Sequence, residues 1–348
     1  MKPLTTTDPL GRASIGAVRQ YLAQAEFEGL DIAAILPQVA LDPALLADDN
    51  GQIDGLTFQA LIEKLLQYSL NPAFGLHSAR FVRPESYSIL GQITFNCETF
   101  GEVLSKIQPF EAIVGDMGVT ELTYNRPVHG KHTTTVQWHC NYTHPAVVQQ
   151  MVDNVLASWL TFTRQLIGQQ HKPLKLLLRR APPSLSMQWQ YQSLFDCAIA
   201  YRQRMDGFVI DNSLLAIPLT QANRQLLPTL EKQAQQQLNA IGGLGSMTQK
   251  VAFLVKTHLP RGLPTLQIIA SELNLSEKTL QRRLKAENTS YLKILDQVRL
   301  TLCQQLLAMP GLNLNTVSEL SGFREPRSFY RWYKQRTGVT PRNGSFSA

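Results

Sequence analysis

Residues 265–285 and 313–334 carry one pattern twice, which leaves this stretch of chain few folds to adopt. Thr265–Leu275 (TLQIIASELNL) set over Asn313–Phe323 (NLNTVSELSGF) aligns at an offset of 48. Leu266 meets Leu314, Ile269 meets Val317, Ala270 meets Ser318 and Leu275 meets Phe323. Asn274 meets Gly322, the residue types that most readily take the left-handed conformation ending a helix. One extra residue then moves the offset to 49, where Leu280 meets Phe329 and Leu284 meets Tyr333 as an apolar stripe at i, i+4. On the opposite face Lys278, Gln281, Arg282 and Lys285 meet Arg327, Tyr330, Arg331 and Lys334, spaced i, i+3, i+4, i+7. Asn288 and Gly338, both able to turn left-handed, close the two units.

A short helix, a tight turn and a second helix with an apolar back and a basic front make a helix-turn-helix. The cap signals agree. Thr265 and Asn313 can cap the first helices and Ser276 the second, while Pro326 suits a first helical position. Ala270 and Ser318 are small enough to let the paired helices approach. Arg and Gln on the exposed stripe carry forks that match guanine O6/N7 and adenine N6/N7 in the major groove.

Charge marks the same region. The 348 residues hold 33 Lys+Arg against 26 Asp+Glu, a net charge of +7. Residues 1–245 hold 18 basic and 20 acidic side chains, whereas residues 246–348 hold 15 and 6. A local excess of +9, at matching positions of two repeats, is an electrostatic footprint for DNA rather than a merely solvated face. Between the units, Ser290–Ala308 places Leu292, Leu295, Val298, Leu302 and Leu306 on one helical face. Nineteen helical residues span roughly 28 Å, near the ~34 Å between successive major-groove faces of B-DNA. One chain can then present two recognition helices to one duplex.

The seam lies at Ile241-Gly-Gly-Leu-Gly-Ser246, after a polar helical segment at Gln221–Ala240. This divides the chain into an α+β domain at 1–240, a linker at 241–246 and an all-α domain at 247–348. The two helix-turn-helix units of the latter fall at about 265–287 and 313–336, joined by a long helix. In the first domain helical periodicity covers Ile15–Phe27, Leu56–Tyr68, Phe100–Ile113 and Ala146–Ile167. Val119–Asn125 and Thr133–His139 alternate like strands around a turn at Pro127–Gly130, and Leu174–Leu178 and Phe208–Ile210 also read as strands.

Residues 247–344 resemble the DNA-binding domain of the AraC/XylS family of bacterial transcription regulators. The resemblance is carried by Leu280-Gln-Arg-Arg-Leu-Lys-Ala-Glu287 and Gly322-Phe-Arg-Glu-Pro-Arg-Ser-Phe329, completed by Arg331, Gly338 and Thr340-Pro341. It implies two helix-turn-helix units on a long helix, with base contacts at Lys278, Gln281, Arg282, Arg327 and Arg331. Departures are Asn288 where Gly is usual, Ser318 where Ala is usual, Glu325 in place of a stronger cap, and Asn343-Gly344 in place of an aromatic-basic end. Phe74-Gly-Leu76, Leu90-Gly91 and Thr99–Leu104 more loosely resemble the sensor domain of the subgroup that includes the ornithine-utilisation regulator. This similarity implies effector binding and dimerisation without identifying the effector.

Other chemistry is weighed against blander roles. His129, His132, His139, Cys140 and His144 cluster in sequence but lack a metal-binding frame, so no metal or cofactor is expected. Cys97, Cys140, Cys197 and Cys303 form no C-x-x-C and read as buried inert thiols. Trp138, Trp159, Trp189, Phe195 and Phe208 read as core before they read as an effector pocket. Arg83, Arg179 and Arg180 are a candidate carboxylate clamp, with surface charge as the alternative. No hydrolase, Walker or dinucleotide signature is present, nor a Pro-Cys-His-Arg methyl-acceptor. No apolar run reaches the ~18–20 residues of a membrane span, and no signal peptide opens the chain.

The expectation is a non-enzymatic, cytoplasmic, sequence-specific transcription regulator. Its expected partners are double-stranded DNA, a small-molecule effector, a second copy of itself through Gln221–Ala240 or Ala146–Ile167, and RNA polymerase where the output is activation. The alternatives are a DNA-modifying or repair enzyme and a constitutive DNA-organising protein.

Overall fold

The computed structural model describes residues 10–125, 132–241, 247–259, 262–273, 275–308, 313–323 and 325–341. The Pro127–Gly130 turn with His129, the glycines of the seam, Arg261, Asn274, Pro310–Leu312, Arg324 and Asn343-Gly344 lie outside these. The chain forms two compact units, residues 1–123, 135–210 and 217–238, and residues 124–134, 211–216 and 239–348.

The N-terminal unit begins with a device used twice. Strands β1 (Arg12–Ser14) and β2 (Gln52–Asp54) pair antiparallel, with Arg12 opposite Asp54 and Ser14 opposite Gln52. Each strand ends in a cap. The Ser14 hydroxyl accepts from Ala17 N at 3.2 Å to start α1 (Ile15–Phe27), and the Asp54 carboxylate accepts from Thr57 N at 2.8 Å to start α3 (Gly55–Tyr68). A single-turn α2 (Ile32–Ile35) lies between them. Then come α4 (Phe74–Ser78), α5 (Ser88–Asn96), α6 (Phe100–Val114), the 23-residue α7 (Pro145–Ile167), α8 (Leu185–Phe195) and α9 (Leu227–Ile241). The remaining strands, β3 (Gly118–Tyr124), β4 (Thr133–Cys140), β5 (Lys175–Leu177), β6 (Ala198–Ala200) and β7 (Asp206–Asp211), form one sheet in the order β3-β4-β7-β5-β6. In it β5 runs parallel to β6 and antiparallel to β7.

Two glycines of the family-like pattern show what that pattern does. The Gly75 amide donates to Gln150 Oε1 at 2.6 Å, and a methyl group on Gly75 would run into the Gln150 carbonyl. A methyl on Gly91 would likewise meet the Pro84 carbonyl. Both mark places where α4 and α5 touch neighbouring backbone. The helix α7 meets α4 with a buried polar row. Asn154 Nδ2 donates to Gln20 Oε1 at 2.9 Å and to Ser78 Oγ at 2.8 Å, and the Ser158 hydroxyl donates to Gln20 Oε1 at 3.2 Å. Asp153 is buried and accepts from Tyr191 Oη at 2.6 Å and from the Arg180 guanidinium.

Several expectations need correcting. The helix read at Gln221–Ala240 starts only at Leu227. Before it, Asn223 Oδ1 accepts from Gln225 N and Leu226 N, making a turn, and Pro228 then fixes the first helical residues. Trp189 is 71 % exposed rather than core. Helix α7 buries more than half of its residues inside the unit. Helices α2, α4, α5 and α8 and strands β1, β2 and β6 were not read from the sequence; all but α5 and α8 are five residues or shorter.

Replacing Gly91 by Ala is expected to lower the unfolding free energy of the N-terminal unit by about 1–3 kcal/mol, the usual cost of overpacking. Urea denaturation of the purified protein reads this directly. Wild-type stability in Gly91→Ala would show that α5 and the Pro84 segment can separate without cost.

Candidate nucleic-acid interface

The C-terminal unit is built from α10 (Met247–His258), α11 (Leu266–Glu272), α12 (Glu277–Ala286), α13 (Tyr291–Ala308), α14 (Leu314–Leu320) and α15 (Pro326–Thr337). The caps fall where the sequence places them. Thr265 Oγ1 accepts from Ile268 N at 3.2 Å, Ser276 Oγ from Thr279 N at 3.2 Å, and Asn313 Oδ1 from Thr316 N at 2.8 Å. Glu325 makes no side-chain cap and Pro326 opens α15. Asn288 (φ +56°), Gly322 (φ +74°) and Gly338 (φ +78°) take the left-handed conformation. Asn274 lies outside the described residues.

The inward stripes form two cores. Ile269, Ala270, Leu280, Leu284, Ile294 and Leu295 join Val251 and Val255 in the first. Cys303, Leu306, Leu307, Val317, Phe329 and Tyr333 make the second. Helix α13 belongs to both, and Leu302 packs against each. One expected member of its stripe is misplaced. Leu292 is 68 % exposed, and Ile294, Arg299, Cys303 and Leu307 are buried instead. The buried and half-buried positions run 294, 295, 298, 299, 302, 303, 306 and 307, pairs that recur every four residues and so drift by about 40° per repeat around the helix as the face passes from the first core to the second.

The missed residue of most consequence is Arg299, 8 % exposed on α13. Its Nε donates to the Ser321 carbonyl at 3.1 Å and its Nη2 to the Gly322 carbonyl at 2.8 Å. Its guanidinium carbon sits 3.8 Å from the Phe323 ring centroid and 5.8 Å from that of Trp332. Burial draws its pKa below the ordinary arginine value, while neighbouring Cys303 and Asp296 oppose that shift. An arginine among leucines reads as a solvated position in sequence; here it fastens the turn of the second unit. Asp296 on the same helix accepts from Trp332 Nε1 at 3.1 Å and from Arg336, holding α15. In the first unit Glu287 accepts from Met247 N at 2.6 Å and Thr248 N at 2.8 Å, tying the start of α10 to the end of α12.

With those contacts made, the outward faces stand clear. Lys278, Gln281, Arg282 and Lys285 on α12 are exposed, as are Arg327, Arg331 and Lys334 on α15. Arg283, missing from the stripe expected from sequence, is exposed beside Arg282. Among the described residues no acid lies within ion-pair distance of any of these cations. Tyr330 differs. It is half-buried, packs on the second core and meets Phe329 edge-on at 5.8 Å between centroids. The arrangement offers two cationic helix faces with free guanidinium and amide forks, each held from behind by a packed core.

The other candidates are placed as follows. Burial pushes the Cys97 thiol up to about 12 and those of Cys140, Cys197 and Cys303 up to about 11, so all four are protonated near neutral pH. His139 lies 3.4 Å from Glu121 and His144 3.9 Å from Glu63; among the described residues no three metal-ligating groups converge. Arg180 is occupied by Asp153 and Tyr191, while Arg83 and Arg179 are exposed. The three do not make the carboxylate clamp considered from sequence.

Two family profiles match separate stretches of the chain. Residues 29–219 match the profile described as the arabinose-binding domain of AraC transcription regulator, N-terminal, and residues 269–343 match a helix-turn-helix domain. The chain is 22 % identical over 313 residues to the ornithine utilization regulator of Pseudomonas aeruginosa, covering 90 % of each protein. It is 27 % identical over 152 residues to the HTH-type transcriptional regulator VirS of Mycobacterium tuberculosis, 44 % of each. Among solved structures, the transcriptional regulator CdpR of Pseudomonas aeruginosa aligns over 94 % of this chain and 96 % of that one, with 18 % identity and a TM-score of 0.47.

Two substitutions in the second unit are expected to act in opposite directions. Ser318 is fully buried and its hydroxyl has no hydrogen-bond partner among the described residues, so Ser318→Ala should stabilise the unit by about 1 kcal/mol. Arg299→Met leaves the Ser321 and Gly322 carbonyls unpaired and should destabilise it by about 2–4 kcal/mol. Thermal melts of the two variants check both signs. A neutral Arg299→Met would mean that the turn holds itself.

Proposed function

The chain belongs to the AraC family of transcription regulators, and on that footing we propose that the exposed faces of α12 and α15 read two half-sites of one duplex. It pairs a ligand-binding N-terminal domain with a helix-turn-helix DNA-binding domain. One observation carries the proposal: the two faces repeat each other in register, and both are cationic, exposed and, among the described residues, without acidic partners. Gln281 suits a bidentate contact to adenine, and Arg282, Arg327 and Arg331 suit guanine. Lys278, Lys285 and Lys334, as flexible point charges, suit phosphates and supply the salt-dependent share of affinity. Tyr330 is anchored on the second core next to Arg331 rather than being a free side chain. At about 1.5 Å per residue, the 18 residues of α13 form a connector about 27 Å long that both units share.

Ligand binding in the N-terminal unit would act on DNA affinity through its differential affinity for two states of the protein. We place the regulator in the cytoplasm, where the DNA is. We read it as a homodimer that uses the exposed face of α9, since α7 is buried in its own unit. Contact with RNA polymerase belongs to the reading only where the output is activation. The named relatives are regulators, which favours this reading over a DNA-modifying enzyme.

Selection of bound fragments from random genomic DNA is expected to return a motif with two half-sites about one helical turn apart. On that motif Arg331→Ala should cost about 1–3 kcal/mol at its cognate base pair and leave binding to random duplex nearly unchanged. Equal losses on both DNAs would reassign Arg331 to a phosphate. Equal affinity of the wild-type protein for all duplexes would favour a DNA-organising role.

A further inference from the structure

The N-terminal unit contains an open cleft of about 530 Å³ between the α4 segment, the second half of α7 and α8. Its walls are Leu76–Arg80 on one side, Thr161–Gln169 on another and Trp189–Leu194 on the third. Two arginines line it, Arg80 and Arg164, together with His77 and no carboxylate. The Arg80 Nε donates to the His77 carbonyl at 3.0 Å and its guanidinium lies over Phe27 at 4.9 Å, so the side chain is positioned without being neutralised. Arg164 Nη1 donates to the Leu194 carbonyl at 3.0 Å, and burial lowers its pKa from the ordinary value. The carboxylate whose charge acts on it, Asp196, is held by Lys172 Nζ at 2.8 Å. His77 Nδ1 faces the Asn71 amide at 2.9 Å and its pKa is lowered by burial and by Arg80, which leaves the ring a neutral polar wall.

The other walls suit the body of a ligand. Trp189 exposes an indole that no other side chain covers to the extent expected of a tryptophan, at 71 %. Gln165 and Gln190 contribute amides beside it. Two unneutralised guanidinium groups, a neutral imidazole, side-chain amides and a bare aromatic face in one concavity match a planar or apolar molecule carrying a carboxylate. The volume is within the range of small-ligand pockets.

We propose that this cleft is the effector site of the regulator and that it takes small organic monocarboxylates. In that geometry the carboxylate meets Arg80 and Arg164, and the planar or apolar body lies along Trp189. The proposal rests on the regulator reading for its consequence, but the binding itself does not.

The test uses the full-length protein and three probes of one shape: 2-naphthoate, 2-naphthamide and 2-naphthylmethylamine. Titration calorimetry is expected to show that naphthoate binds at least tenfold more tightly than the neutral and cationic probes. Arg80→Gln and Trp189→Ala alter exposed side chains, so the fold should keep its melting temperature while each variant loses about tenfold or more in naphthoate affinity. No naphthoate binding up to about 10 mM, equal binding of all three probes, or undiminished binding in both variants would overturn the proposal. Binding to the DNA motif recovered by selection separates the two readings. Naphthoate that binds through Arg80 and Trp189 but leaves DNA affinity unchanged keeps the site and removes its effector role. A protein that never binds DNA selectively removes the regulator reading while the calorimetry still decides the site.

Discussion

The geometry of the DNA-binding half depends on α13 being one unbroken helix shared by two cores. Ile294 and Leu295 complete the first core, Cys303, Leu306 and Leu307 the second, and Leu302 touches both. Neither recognition helix can turn relative to the other without bending α13 or opening a core, and a packed core resists deformation. The separation of the two reading faces is thus set by the protein. Where both faces read one duplex, as proposed, a duplex whose major grooves do not match their separation has to bend to meet both, and that deformation itself depends on sequence.

The two units hang on α13 by different chemistry. In the first, leucine and isoleucine packing does most of the work, and Glu287 joins the start of α10 to the end of α12 through three hydrogen bonds. Among the described residues the second core is smaller and holds two buried hydroxyls, Ser318 and Tyr333, that have no partner. Its compensation comes from charge. Arg299 serves the turn carbonyls and the aromatic rings of Phe323 and Trp332, and Asp296 holds Trp332 and Arg336. The second unit therefore relies on the ionised side chains of α13, where the first relies on apolar area.

Most of the DNA-binding half was legible because helix caps, left-handed turns and a 3.6-residue apolar period are local signals. Thr265, Ser276, Asn313, Asn288 and Gly338 act as such residues do anywhere. Arg299 was not legible, since a buried arginine is defined by carbonyls more than twenty residues away. Leu292 and Trp189 failed for the reverse reason: periodicity says that an apolar side chain can be buried, and only tertiary neighbours decide whether it is. In the N-terminal unit the long helices were readable. The three-residue strands β1, β2 and β6 were not, because so short a segment carries less than two periods of alternation. Gly75 and Gly91 stood out only as part of a family-like pattern, and their physical role is the contact of backbone on backbone.

Arginines in the N-terminal unit show why composition alone does not locate a ligand. Arg180 is paired with a dedicated carboxylate, Asp153, and with the Tyr191 hydroxyl, so a second anion arriving there would have to displace a buried partner. Such a pair holds the segment that follows β5 against α7 and α8, and removing either member leaves an uncompensated buried charge. Arg80 and Arg164 are fixed instead by carbonyl oxygens, His77 and Leu194, and by the Phe27 ring. Neutral acceptors orient a guanidinium without cancelling its charge. The field of Arg80 and Arg164 therefore remains directed at the cleft, and that difference in partner separates an arginine that builds the fold from one available to a ligand.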